Sequence, residues 1–448
     1  MSKATEKFIA IQTGVSAGGE EWQRLRKRAV MIKSHTLDNL DHYLEQFASN
    51  VEHSGGRVCW AHDAEEANRY ICDLARTRGV RLAVKSKSMM SEEIDLNHAL
   101  AMAGVEAVET DFGEFIAQLA GERPSHINMP IVHKSRADVA DLFAAKLNVG
   151  RLEEIKDLAS VARRLLRARF AAAEMGITGV NFAIAETGTI VLVENEGNIR
   201  FTTALPPVQV AVMGIEKVIP RFADLEVFLR LLPRSGTGQH LTSYQSLLTG
   251  PEPEEGEGPR ELHLVLLDNG RAELLREAVM RQTLACIRCG ACLNACPVYR
   301  AIGGHAYGSV YPGPIGAIFA PQVLGAERAA HLPFASSLCG ACRDVCPVKI
   351  DIPSVLLELR ARLVTGARIG GETPARQSGA LERLGWRLWS WSCSRPRRFA
   401  LAARLARLAS RLGILERVAP PLRWWGRTRA LPRIAPRSFR EEWKERRP

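Results

Sequence analysis

The sequence predicts an α/β domain with a largely parallel sheet, then a smaller cysteine-rich, mainly helical domain, then a basic helical tail. Three observations carry this reading. Between about residues 59 and 268, strand-like and helix-like patterns alternate, as βαβ units do. Seven of the ten cysteines fall into two groups between residues 286 and 346. Residues 374–448 hold 19 basic and 5 acidic side chains, a net charge of +14, which leaves −3 for the rest of the chain. At 448 residues, two or three domains are expected.

In chain order, residues 1–58 read as an N-terminal helical arm packing on the next domain. Within 20–49, Leu25, Val30, Leu37, Leu40, Leu44 and Phe47 recur at helical intervals amid charge. The α/β domain spans 59–268. Val80–Val84 and Val105–Val108 are strand-like, 92–103 and Phe112–Leu119 helical. A long amphipathic helix is predicted over 153–175, with Gly176 as its stop. The period then becomes two: Val180, Phe182 and Ile184 form a strand, Glu186-Thr187-Gly188 a turn, and Ile190–Val193 a second strand. After a turn at 194–198, Ile199-Arg200-Phe201 continues the meander, and Leu262–Leu267 is a further strand. Residues 250–260, rich in Pro, Gly and Glu, read as an exposed loop. A helix over 271–285 leads into the cysteine domain, 269–365, where glycine-rich 303–317 reads as a loop. The tail, 366–448, carries Leu401, Leu405, Leu408, Leu412 and Leu415 at helical spacing beside arginines. Six of eight tryptophans lie beyond residue 385, including Trp424-Trp425.

The cysteine spacing is the strongest chemical signal. Cys286, Cys289, Cys292 and Cys296 precede Pro297, and Cys339, Cys342 and Cys346 precede Pro347. A short loop with every third residue a cysteine delivers three thiolates to one iron–sulfur cubane, while the cysteine before proline serves the other cluster. Crosswise ligation assigns Cys286, Cys289, Cys292 and Cys346 to one 4Fe-4S cluster and Cys296, Cys339 and Cys342 to a second. Ser336 stands where the second group would have a first cysteine. That cluster is either three-iron, or four-iron completed by Ser336, water or a partner. Structural zinc wants four ligands in separated pairs instead, and disulfides suit a secreted chain. The glycine-rich 303–317 stretch is expected to wrap a cluster.

No apolar run reaches the ~18 residues of a membrane-spanning helix. The start, MSKATEKFIAIQTG, lacks a hydrophobic signal region, so a cytoplasmic location is expected, with membrane association only through partners or the tail. A Trp- and Arg-rich tail suits a protein interface; an exposed tail and peripheral membrane contact are alternatives, and no nucleic-acid partner is expected. There is neither a Gly-x-Gly-x-x-Gly after an early strand nor a Walker loop. His126 and His133 read as hydrogen-bonded structural residues rather than bases.

Several stretches together resemble a known family: KSKSMMSEEIDLN (85–97), ETDFGEFIAQL (109–119), PSHINMPIVHK (124–134), GVNFAIAETGTIVLVENEGNIRFTT (179–203) and both cysteine motifs. The chain is similar to the lactate-utilization protein B family across about 20–365, and more loosely in the tail. The resemblance implies that the α/β region is a LUD domain, similar in fold to glucosamine-6-phosphate deaminase and ribose-phosphate isomerase. It implies a ferredoxin-type domain with two clusters ligated by four plus three cysteines. It further implies an iron–sulfur subunit of a complex oxidising L-lactate to pyruvate, with a cysteine-rich subunit and a smaller LUD subunit as partners and an unnamed electron acceptor. The chain is then a non-catalytic or co-catalytic subunit of an oxidoreductase. Service to another 2-hydroxy acid, or redox sensing on nucleic acid, are the alternatives. For a substrate carboxylate, Lys85, Lys87 and Ser88 follow a strand and open a helix. Thr110 and Asp111 end the next strand, and Glu186, Thr187 and Gly188 occupy a tight turn. Lys87 and Glu186 are the candidate catalytic groups; otherwise the lysines are solvated and Glu186 caps a turn.

Overall fold

Two adjoining apolar runs explain the centre of the molecule. Val208–Gly214 is buried at every position, and Glu261–Leu267 at all but its first. Such runs, without polar alternation, belong to parallel strands covered on both faces. In the computed structural model, which describes residues 19–252, 258–371, 373, 379–411 and 434–446, they are the middle of a six-stranded sheet. Its strands are β1 (Arg57–Ala61), β2 (Leu82–Lys85), β3 (Glu106–Glu109), β4 (Met175–Gly179), β7 (Val208–Gly214) and β10 (Glu261–Leu267). Their order is β1-β10-β7-β4-β2-β3, every pair parallel. Side chains alternate between two cores. Val208, Val210, Val212, Val265 and Leu267 meet the helices Ala64–Thr77 and Leu96–Met102, whereas Ala211, Met213, Leu264 and Leu266 meet Leu40, Leu44 and Phe47 of the helix Leu40–His53. The expected α/β domain with a parallel sheet is present. A four-stranded sheet, β8-β5-β6-β9, flanks it, built from β5 (Phe182–Ile184), β6 (Thr189–Glu194), β8 (Val218–Ile219) and β9 (Tyr244–Leu248).

Several local expectations are corrected. The 20–49 helix is two, Gly19–Asp38 and Leu40–His53. The first packs with the cysteine region, burying Trp22, Leu25, Ala29, Ile32 and Leu37 beside Cys289 and Cys346, and only the second covers the sheet. Gly176 is no helix stop: the helix Ile155–Ala172 ends earlier, and Gly176 lies in β4. Glycine is needed there because a β-carbon would strike the Thr202 carbonyl of the crossing helix. Ile199-Arg200-Phe201 belongs to that helix, Asn198–Ala204, and not to a strand. The Glu194 carboxylate accepts the backbone N–H groups of Ile199 (2.8 Å) and Arg200 (3.0 Å), capping the first turn. The 271–285 helix is the short Arg271–Leu275 and a 3₁₀ turn, Arg281–Ala285. The last five residues of the 303–317 loop instead begin a helix, Gly313–Val323, which is buried from Gly313 to Gln322.

The chain divides into two compact units between Ala375 and Arg376. The second holds the helices Ala380–Cys393, Pro396–Arg411 and Phe439–Arg446. Leu401, Leu405 and Leu408 lie on the expected tail helix and are exposed, as are Trp386, Trp389 and Trp391. Leu412, Leu415 and Trp424-Trp425 lie outside the described residues. Among the described residues, no helix is long and apolar enough to cross a membrane.

Candidate functional site

Each cysteine loop is a short backbone coil ending in a helical turn. Gly290 (φ 77°) opens Ala291–Ala295, and Gly340 (φ 85°) opens Ala341–Asp344. The fold brings the two loops together crosswise. Cys286, Cys289, Cys292 and Cys346 line one cavity with Ile127, Ile315 and Ile350. The electrostatic coupling of the thiols divides the same way. Cys289 and Cys292 act with Cys286 and Cys346, whereas Cys296 and Cys342 act with each other and with Cys339.

Both groups have the donors an anionic cluster calls for. The Arg288 N–H points to Cys286 Sγ (3.4 Å), that of Tyr299 to Cys296 Sγ (3.5 Å) and that of Ile350 to Cys346 Sγ (3.4 Å). The Ile315 N–H, at the start of the helix Gly313–Val323, serves Cys292. Beside Cys286 the buried Arg288 Nη1 has no hydrogen-bond partner among the described residues, and the buried Tyr307 hydroxyl lies against Cys296. Burial pushes the Cys342 thiol up to about 12 and that of Cys346 to about 11. Without a cation these groups stay protonated, and metal binding would convert them to thiolates. The residues therefore fit iron–sulfur clusters. Arg26, from the helix Gly19–Asp38, clamps the exit of the second loop by donating to the carbonyls of Cys346 (2.7 Å) and Asp344 (2.9 Å).

A cavity of about 250 Å³ lies against the four-thiol group, and Ile127 and Arg288 line both. Of the sequence-predicted anion residues, Lys87, Ser88 and Asp111 reach this cavity. Lys87 Nζ donates to the Asn128 carbonyl (3.4 Å), and Asn128 Nδ2 donates to the Cys289 carbonyl (2.5 Å). The PSHINMPIVHK segment thus ties the cavity to the cysteine loop. His126 and His133 are both hydrogen-bonded: His126 Nδ1 accepts from the Asn128 and Met129 N–H groups, and His133 meets Ser125 Oγ (2.7 Å) and Glu122 (2.9 Å). Burial brings His126 down to about 4.

The other candidates stand apart from this cavity. Lys85 is fully buried and committed, with Nζ 2.8 Å from Glu109 and 2.9 Å from Ser91 Oγ. Burial works to lower its pKa, but Glu109, Glu114 and Glu92 outweigh that and raise it. Thr110 Oγ1 is spent on the Lys85 carbonyl (3.0 Å). Glu186 faces a separate, open recess with Arg28, His35 and Arg221 and accepts the Phe222 N–H (2.7 Å). Thr187 Oγ1 donates to Thr189 (2.7 Å), and Gly188 (φ 69°) is pressed on the Asn50–Val51 backbone. Pairing Glu186 with Lys87 is therefore corrected: the turn docks on the helix Leu40–His53, through Asn50, instead of facing β2. The helix-end argument is corrected too. The helix after Lys87 is only Met89–Glu93, and the Ser88 hydroxyl already accepts the Ser91 N–H (3.3 Å).

Lys217, Arg288, Glu194 and Glu196 of the cavity wall were not anticipated. Lys217 is 7% exposed, and its ammonium makes no hydrogen bond or ion pair among the described residues; burial lowers it to about 8. Burial, reinforced by Asp111, raises Glu196 to about 6. Beneath Lys217, burial works to raise Glu216, but Arg271 and Arg288 outweigh it and bring it to about 2. Glu196 lay within a quoted motif, while Lys217 is surrounded by ordinary strand sequence. The cavity thus presents cations at the cysteine side and titratable carboxylates elsewhere, a combination suited to a small organic anion.

Comparison with known proteins agrees with this organisation. Residues 44–267 match the LUD domain, 282–350 the 4Fe-4S dicluster domain, and 359–448 the C-terminal domain of lactate utilisation protein B. The dicluster match makes iron–sulfur clusters the cofactors of this chain. Lactate utilization protein B of Bacillus licheniformis is 42% identical over 453 residues, covering 100% of this chain and 93% of that protein. The protein of the same name from Bacillus velezensis is 43% identical (95% and 89% covered). That from Anoxybacillus flavithermus is 48% identical (82% and 76%). A solved DUF162 family protein from Deinococcus radiodurans aligns with 14% identity and a TM-score of 0.29, covering 51% of this chain and 98% of that one, too slight a likeness to carry an argument. On the strength of near full-length identity to these relatives, the chain belongs to the lactate utilization protein B family.

Proposed function

We propose that this chain is the iron–sulfur electron-transfer subunit of a complex that oxidises L-lactate to pyruvate, working with a cysteine-rich subunit and a smaller LUD subunit. Cys286, Cys289, Cys292 and Cys346 hold one 4Fe-4S cluster in this reading, and Cys296, Cys339 and Cys342 hold the second. The observation that carries it is the shared wall: Arg288 and Ile127 line both the cavity and the four-thiol group. A bound carboxylate would face Lys217 and Arg288, and Lys87 would add a third cation at the same cavity. Charge-assisted hydrogen bonds of this kind contribute roughly 1.5–3 kcal/mol. Clusters held by these cysteines supply one-electron carriage. Lactate gives up two electrons, so a flavin, quinone or paired centre must divide the pair. Family membership under the name lactate utilization supports the substrate.

The test is anaerobic purification of the complex and EPR of the clusters after addition of L-lactate, with glycolate as comparison. Lactate alone should reduce them. Lys217→Gln should leave the dithionite-reduced spectrum unchanged and raise the lactate concentration needed by about tenfold to a hundredfold, the equivalent of those 1.5–3 kcal/mol. Clusters that dithionite reduces but lactate never does would refute the role in lactate oxidation. An unaltered lactate dependence in Lys217→Gln would move the substrate off this chain.

A further inference from the structure

We propose that Ser336 is the fourth ligand of the second cluster, its Oγ taking the place that Cys286 Sγ holds in the first loop. The inference rests on the assignment of Cys296, Cys339 and Cys342 to that cluster. What carries it is a match of backbone shape. Fifty residues separate Cys286 from Ser336, Cys289 from Cys339, Cys292 from Cys342 and Cys296 from Cys346. Two residues past Cys286, Arg288 has φ 60°; two past Ser336, Leu338 has φ 55°. Positive φ is unfavourable for either side chain, so neither would adopt it without a geometric reason. In the first loop that conformation turns the Arg288 N–H onto Cys286 Sγ (3.4 Å). In the second it turns the Leu338 N–H onto Ser336 Oγ (3.1 Å). Gly290 and Gly340 follow at the same offset, with φ 77° and 85°. The second loop therefore keeps the shape of a ligand loop at the one position where sulfur is replaced by oxygen.

The loop is also held from outside. Arg360 Nη2 donates to the Ser336 carbonyl (3.0 Å) and Nε to that of Pro333 (2.8 Å), and its guanidinium lies over Phe334. These bonds fix the backbone on which Oγ hangs, independently of any metal. Ligation would break the Ser336 O–H bond and form an O–Fe bond, the proton leaving to solvent with no change in electron count. Alkoxide is a harder ligand than thiolate, so it favours the ferric state and the second cluster should have the lower potential of the two.

The experiment uses the full chain purified anaerobically with ⁵⁷Fe, comparing wild type with Ser336→Ala and Ser336→Cys by iron analysis, EPR and Mössbauer spectroscopy. Wild type should hold about eight irons, one with an oxygen-ligand Mössbauer component that Ser336→Cys abolishes. Ser336→Ala should lose about one iron on mild oxidation and acquire a three-iron EPR signal, while Ser336→Cys keeps all its iron. If the three proteins share one iron content and one spectrum, Ser336 is not a ligand. Cys342→Ala serves as the control for the underlying assignment, since it should erase the second cluster in every background. Persistence of that cluster would overturn the three-cysteine assignment and the serine with it. Its loss, together with silent Ser336 variants, would overturn the serine alone.

Discussion

Replacing Arg271 by methionine removes the centre of a buried polar network beneath the cavity. Arg271 is fully buried, with Nε 2.8 Å from Glu216 and Nη2 2.8 Å from Glu93. Nη1 donates to the Asp268 carbonyl (3.0 Å), and the guanidinium lies 5.2 Å from the Phe319 ring centre. Glu93 also accepts from Asn269 Nδ2 (2.6 Å) and from the Tyr311 hydroxyl. Methionine preserves much of the volume and strands two buried carboxylates, a change that costs roughly 3–5 kcal/mol. Arg271, ahead of Arg288 and Lys217, outweighs burial and brings Glu216 from 4.5 to about 2. Because that pKa is depressed in the folded chain, its stabilisation is fully present above 4.5 and disappears as pH falls towards 2. The variant's stranded carboxylates must instead take up protons to be buried at low cost. Its deficit should therefore be largest at pH 7 and shrink towards pH 5. Urea unfolding of the anaerobic holoprotein, followed by circular dichroism at both pH values, measures this. Arg271→Met/Glu93→Gln should recover part of the loss. A deficit under about 1 kcal/mol at pH 7, or one that grows on acidification, would refute the account of this network.

Two further outcomes are expected. Cys346→Ala should remove the cluster of the first motif although it lies in the second, and Cys296→Ala should do the reverse; EPR of the dithionite-reduced variants reads this directly, and loss confined to each residue's own motif would exclude crosswise ligation. Glu196, raised to about 6, favours its neutral form, so pyruvate binding measured calorimetrically should weaken as pH rises from 5 to 7, by about tenfold for one added charge near the anion. Glu196→Gln should flatten that profile.

Much of the domain chemistry was readable because it is local. Cysteines three apart, a following proline and a glycine at the turn state their purpose within a dozen residues, and the alternation of strand and helix announced a parallel sheet. Lys87, Ser88 and Asp111 were chosen on an equally local ground, their place at strand ends of an α/β sheet, and all three line the cavity. Errors arose where a distant part of the chain sets the local conformation. Gly176 reads as a helix stop, yet it is glycine because the Thr202 carbonyl crosses it. Ile199–Phe201 has strand-forming side chains, yet the Glu194 carboxylate holds it as a helical turn.

By itself, then, the sequence determined the inventory: seven cysteines in two spaced loops, a parallel α/β domain and a basic tail. Which loop serves which thiol group was an inference from spacing, and only the packing of the two loops put Cys346 beside Cys286 and Cys296 near Cys342. Tertiary structure alone separated Glu186 from Lys87 and brought Lys217 into the cavity whose wall shares Arg288 with the four-thiol group. The physical reason is that burial and charge pairing are properties of distant neighbours. Lys85 and Lys87 lie two residues apart, yet in β2 one points into a pair of carboxylates and is sealed, while the other, just past the strand end, reaches an open cavity.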